Sequence, residues 1–190
     1  MAHTDTGDTE TDSAGVRLAE LHHYFRQHPV TGPEGHSYTL SGNHHTFTET
    51  GIPYNVRVAD HIQASVTEVI TRTRDANPDA GLPKRIEDVY DWAREHTEHA
   101  PDDVRFRRDT LEYRHRLEHA IAAGDTAVVR PHRCPSCGTL GLHWNTDRQR
   151  AVCLNLHCAR TNQGISRSWT LGRLAFERTA TEKTLRECAT

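Results

Sequence analysis

Cys134-Pro135-Ser136-Cys137 and, fifteen residues later, Cys153-Leu154-Asn155-Leu156-His157-Cys158 decide how the rest of this 190-residue chain is read. Two close-set cysteine pairs suit a tetrahedral zinc ion. Each pair sits on a tight turn that aims two thiolates at one point, and the segment between them can fold back as a hairpin. The intervening residues fit that role. Leu140-Gly141-Leu142-His143-Trp144 alternates in the strand manner, Asn145-Thr146-Asp147 supplies turn chemistry, and Arg148 to Val152 returns. Ser166 to Trp169 adds a third strand. The pattern is that of a zinc ribbon with Cys134, Cys137, Cys153 and Cys158 as ligands to one structural Zn²⁺. Four thiolates leave no open position for a reacting water. Such binding acts as folding free energy, roughly 10–16 kcal/mol in zinc-finger peptides.

Three alternatives use the same residues. A disulfide framework needs an oxidising compartment, and an iron–sulfur cluster also takes four cysteines. His132, His143 and His157 lie close enough in sequence to replace a cysteine, His157 best because it sits inside the second pair. Cys188 is left over as a free thiol near a frayed end.

Composition explains why a metal is needed. Leu, Ile, Val and Phe together number 34 of 190, close to the level at which chains remain disordered, yet the net charge is only −3. A thin core with added support follows. No apolar run approaches a membrane span, and the stretch from Met1 to Gly15 lacks the basic start and apolar centre of a signal peptide. The expectation is a cytoplasmic protein with reduced cysteines.

The charge is unevenly placed. Residues 1–129 hold 13 Lys+Arg against 22 Asp+Glu, a net of −9, whereas residues 130–190 hold 10 against 4, a net of +6. One Zn²⁺ with four thiolates would lower the second figure to about +4. A basic module on an acidic body is where a polyanion docks, although such a module can equally pair with its acidic neighbour.

Working back along the chain, residues 1–15 read as a disordered leader and 16–125 as a helical body. Residues 126–176 form the ribbon, and 177–190 a tail, either a short helix or frayed. Within the body, Ser13 caps a first helix carrying Val16, Leu18, Leu21 and Phe25. Ser37 to Leu40 and His45 to Thr48 flank Ser41-Gly42-Asn43-His44 as a short hairpin. Val58, Ile62, Val66, Val69 and Ile70 mark a second helix, broken at Asn77-Pro78. Ile86, Val89, Tyr90 and Ala93 mark a third, with Trp92 near its edge. A fourth starts at Pro101-Asp102-Asp103, buries Phe106, Tyr113, Leu117, Ala120 and Ile121, and stops at Gly124. The fold class is therefore α+β: a mostly helical N-terminal body with a short hairpin, then a small zinc-ribbon β module.

Fifteen histidines raise the question of a catalytic metal. His115 and His119 share one helical face, opposite the Phe106–Tyr113–Leu117 stripe, and are expected in solvent. His96-Thr97-Glu98 with Cys134-Pro-Ser-Cys137 loosely matches zinc-deaminase elements. However, residue 133 is Arg rather than Pro, and Cys153 and Cys158 would have no role. Asp60-His61-Ile62 superficially matches the core of an HNH nuclease but lies inside a helical pattern. His22-His23 and His44-His45 read as surface residues. No catalytic role is assigned.

The chain resembles a group of actinobacterial and phage-encoded proteins in which a helical region leads into a C-terminal zinc ribbon. The likeness spans roughly residues 50–175. It rests on Pro53 to Ile62, Leu111 to Ile121, Arg133 to Gly138 and Cys153 to Cys158, with Trp169 to Leu174 as a closing strand and turn. That resemblance implies a fold and a metal, and carries no activity. The expected function is a non-enzymatic ribbon that contacts DNA or RNA. Arg133, Arg148, Arg150, Arg160, Arg167 and Arg173 would face phosphates, and Trp144 or Trp169 would stack on a base if exposed. The rival is a protein–protein adaptor or a phage or host assembly component. No membrane and no small-molecule substrate is indicated.

Overall fold

The computed structural model describes residues 13–27 and 54–189. Among these described residues, six helices and three strands follow in the order α1 (Ala14–Gln27), α2 (Tyr54–Ala76), α3 (Val89–His96), α4 (Asp102–Ala122), β1 (Leu142–Asn145), β2 (Arg150–Cys153), α5 (Leu156–Arg160), β3 (Ser168–Trp169) and α6 (Leu171–Cys188). A short 3-10 turn, Thr126–Val129, joins α4 to the cysteine-bearing three-stranded module. The α+β expectation holds. The hairpin expected over 37–48 lies outside the described residues.

Local chemistry sets the helix ends. Ser13 Oγ accepts from the backbone of Val16 at 3.3 Å, so Ala14 and Gly15, assigned above to the leader, form the first turn of α1. At the other end of α4, Gly124 takes φ +91 and donates to the carbonyl of Ile121, the left-handed stop that glycine tolerates best.

Two apolar clusters hold the chain together, and α4 serves both. The first joins Leu18 and Leu21 of α1, Val58, Ile62, Val66 and Val69 of α2, and Val89, Tyr90, Trp92 and Ala93 of α3, with Leu111 and Ala122 of α4 packed against it. The second joins Leu117 and Ala120 of α4 to Val129, Leu142, Trp144, Ala151, the buried cysteines, and Leu171 and Leu174 of α6. Trp92 belongs to the first cluster and is buried, not at its edge. Helix α4 thus packs both against the other helices of the body and against residues beyond position 126.

The C-terminal tail takes the helical form of its two expected alternatives, and the helix starts earlier, at Leu171. Thr170 caps α6 by accepting from the backbone of Arg173 at 3.2 Å, and the helix then runs 18 residues to Cys188. The stretch expected as a closing turn opens a helix that packs along α4. Leu171, Leu174, Ala175 and Thr179 recur at helical spacing and are buried, which is the pattern of a docked helix rather than a frayed end.

Candidate metal centre

The sheet is antiparallel in the order β1-β2-β3, with Leu142 opposite Cys153, Trp144 opposite Ala151, and Ala151 opposite Trp169. Period-two alternation sends Leu142, Trp144, Ala151 and Cys153 to the inner face, where all four are buried. Cys153 enters the site from the end of β2. Cys158 comes from α5, whose N-cap Asn155 accepts from the backbones of His157 and Cys158 at 2.8 and 3.4 Å. The first pair sits on a turn closed by Gly138 at φ +70, its N–H donating to the carbonyl of Cys134 at 2.8 Å.

These three supports bring four sulfurs together. The Sγ atoms of Cys134, Cys137, Cys153 and Cys158 all lie within 4.8 Å of one another, and Cys137 Sγ stands 3.8 Å from Cys153 Sγ. A tetrahedron with metal–sulfur bonds of about 2.3 Å has edges of about 3.8 Å. A disulfide would need about 2.05 Å, and all five cysteines are free thiols. The site can therefore hold one metal ion, and the donor chemistry fits one. Burial pushes the Cys153 thiol up to about 12 and also raises Cys158. Hydrogen bonding with Thr139 draws the exposed Cys137 down to about 6. A bound cation removes the protons that burial would otherwise retain. Asn155 Nδ2 donates to Thr139 Oγ1 at 2.7 Å and ties the second cysteine turn to the first.

The histidines weighed as ligands stand elsewhere. His143 and His157 are exposed, and His132 Nε2 meets Tyr113 Oη at 3.0 Å. His96 Nδ1 is held by the carbonyl of Trp92 at 2.9 Å, outside the sulfur cluster. Of the two tryptophans beside the cysteines, Trp144 offers no ring to a base. Trp144 is buried, Trp169 is half-buried, and the Nε1 of each is enclosed.

The six arginines divide. Arg133, Arg148, Arg150 and Arg160 are exposed and form no ion pair among the described residues. Arg148 and Arg150 sit at the β1–β2 turn, Arg133 beside the first cysteine pair, and Arg160 at the end of α5. Arg167 lies two places before Trp169 and so shares the inner face, half-buried with its Nε enclosed. Arg173 belongs to α6, where it pairs with Glu177 and lies over the Phe176 ring. Arg167 is thus partly enclosed, whereas Arg173 is exposed but already paired with a carboxylate.

No family model, curated protein or solved structure matches this chain.

One group of residues is placed where the sequence reading did not put it. His115 and His119 are 1% and 0% exposed, not solvated. The face opposite Leu117 is an interior face as well, because α1, α2 and α3 pack on it. The signal was present as a second stripe, Leu111, His115, His119 and Ala122, at helical spacing. His115-Arg116-Leu117-Glu118-His119 also has the H-x-x-E-H spacing that can supply two zinc ligands and a base. Here the Tyr90 hydroxyl lies between the rings, 2.8 Å from His119 Nε2 and 3.0 Å from His115 Nδ1. Among the described residues the four cysteines are the only group close enough to share a metal.

Proposed function

We propose that the four thiolates hold one structural zinc ion and that the ribbon so ordered binds nucleic acid through Arg133, Arg148, Arg150 and Arg160. The carrying observation is the charge of the ribbon proper. Between Arg130 and Thr170 stand six arginines and a single carboxylate, Asp147, and five of those arginines are exposed. A surface without internal counter-charges attracts phosphates. A four-thiolate shell offers no open position for a reacting water, which supports a scaffold role for the ion.

The test is fluorescence anisotropy with labelled single- and double-stranded DNA and RNA. Four phosphate contacts predict a loss of about 100-fold in affinity between 50 and 200 mM salt. Arg148→Glu with Arg150→Glu should weaken all sequences alike. Absence of binding at about 50 mM salt removes the reading.

A specific observation favours a second reading, protein docking. Leu140, Leu154, Leu156 and Ile165 are 54–75% exposed beside the cysteine turns. An apolar segment of another protein would bind there with little salt dependence, and Leu154→Ser with Leu156→Ser would abolish that association while leaving nucleic-acid affinity intact.

A further inference from the structure

The helical body contains an unbroken hydrogen-bonded chain that the ribbon does not use. His61 Nε2 lies 2.8 Å from His119 Nδ1; His119 Nε2 lies 2.8 Å from Tyr90 Oη; and Tyr90 Oη lies 3.0 Å from His115 Nδ1. Beyond it, His115 Nε2 lies 3.0 Å from Arg114 Nη2 and 3.3 Å from Glu68 Oε2. Three helices contribute: α2 with His61 and Glu68, α3 with Tyr90, and α4 with Arg114, His115 and His119. Glu68, Tyr90 and Arg114 also line a cleft of about 520 Å³ whose walls include Val69, Leu111 and Phe176.

With neutral rings, two proton arrangements satisfy every link from His115 Nδ1 to His61 Nε2, and each makes one of the two contacts at His115 Nε2. In one, Arg114 donates to His115 Nε2, His115 Nδ1–H donates to Tyr90, Tyr90 to His119 Nε2, and His119 Nδ1–H to His61 Nε2. In the other, the three bonds from His115 Nδ1 to His61 Nε2 run the opposite way, and His115 Nε2–H donates to Glu68 instead of accepting from Arg114. Passing from the first to the second takes up one proton at His115 Nε2 and releases one from His61 Nδ1, with a single proton shifted across each intervening bond. His61 is half-buried, and among the described residues its Nδ1 has no protein partner.

We propose that His61, His119, Tyr90, His115 and Glu68 form a proton relay that makes this cleft a binding site with Glu68 as its general base. The ligand class follows from the walls and the acceptor: a small, largely apolar molecule carrying one weakly acidic hydroxyl. Glu68 takes its proton, His115 passes it on, and His61 releases it to water. Burial keeps the chain neutral, lowering both inner histidines and raising the Tyr90 hydroxyl. Arg114 holds Glu68 charged and ready to accept.

The test is ¹⁵N NMR of the full chain labelled at histidine, with phenol as the probe. In the wild type, the ring nitrogens of His115 and His119 should resonate between protonated and bare positions. Phenol and Glu68→Gln should each shift the His61 nitrogens, although His61 touches neither. Tyr90→Phe keeps the ring but breaks the chain, and the response of His61 should vanish; His61→Gln, with the response read at His119, serves if that variant does not fold. A purely structural network predicts one fixed tautomer per ring and a His61 signal indifferent to Glu68→Gln. Either result, or an equal phenol response in Tyr90→Phe, overturns the relay.

Discussion

Lowering the pH should destabilise the helical body through two named rings. Burial depresses His115 from 6.5 to about 4 and His119 from 6.5 to about 2. Lowered pKa values mean that the folded state resists protons that the unfolded chain accepts. The stability is therefore complete above about pH 6.5 and is lost as pH falls from there toward about 4 for His115 and lower for His119. At pH 5 an unfolded histidine gains about 2 kcal/mol from protonation while the buried ring gains almost none, so the pair costs about 4 kcal/mol. Against a typical stability of about 5–15 kcal/mol, that loss is large. Urea unfolding followed by far-UV circular dichroism at several pH values, at fixed ionic strength, measures it. Acid also protonates the cysteine thiolates, but a variant with His115→Gln and His119→Gln retains them. Its stability is expected to be lower at pH 7, while its loss between pH 7 and pH 5 shrinks by about 4 kcal/mol. Parallel pH curves for the two proteins would falsify the argument.

Other consequences concern the ribbon. Metal analysis should find one tightly held ion per chain, and a strong chelator should unfold the segment from about 130 to 170 while the packing of α1, α2 and α3 persists; an unchanged melting profile contradicts this. Cys153→Ser, which removes a buried ligand, should abolish that ion, read by elemental analysis of the purified variant. Gly138→Ala forces a side chain into left-handed backbone at φ +70 and should lower stability by about 1 kcal/mol in urea. Leu117→Ala empties a fully buried site between α4 and the ribbon, and calorimetry should show a loss of about 2–5 kcal/mol.

Much of the cysteine module was legible in the linear chain because its determinants are local. Cysteine spacing, Gly138, Asn155 and the alternation from Leu142 to Cys153 act over a few residues, so hairpin, register and ligand set follow from short-range geometry. The helix signals at Ser13, Asn77-Pro78 and Gly124 are local in the same sense. Tertiary structure decided what each helical face touches. A periodic stripe shows which residues align and cannot show how many neighbours a helix will have. Helix α4 is covered on both sides, so the face that looked polar became an interior holding His115 and His119, bridged by Tyr90, with His119 also meeting His61, 58 residues before it. The same distinction governs α6, whose weak amphipathic stripe needed α4 as its partner, and the arginines, whose exposure depends on strand parity and on neighbours such as Glu177. Local chemistry wrote the metal centre into the sequence; the buried polar chain exists only because three helices meet.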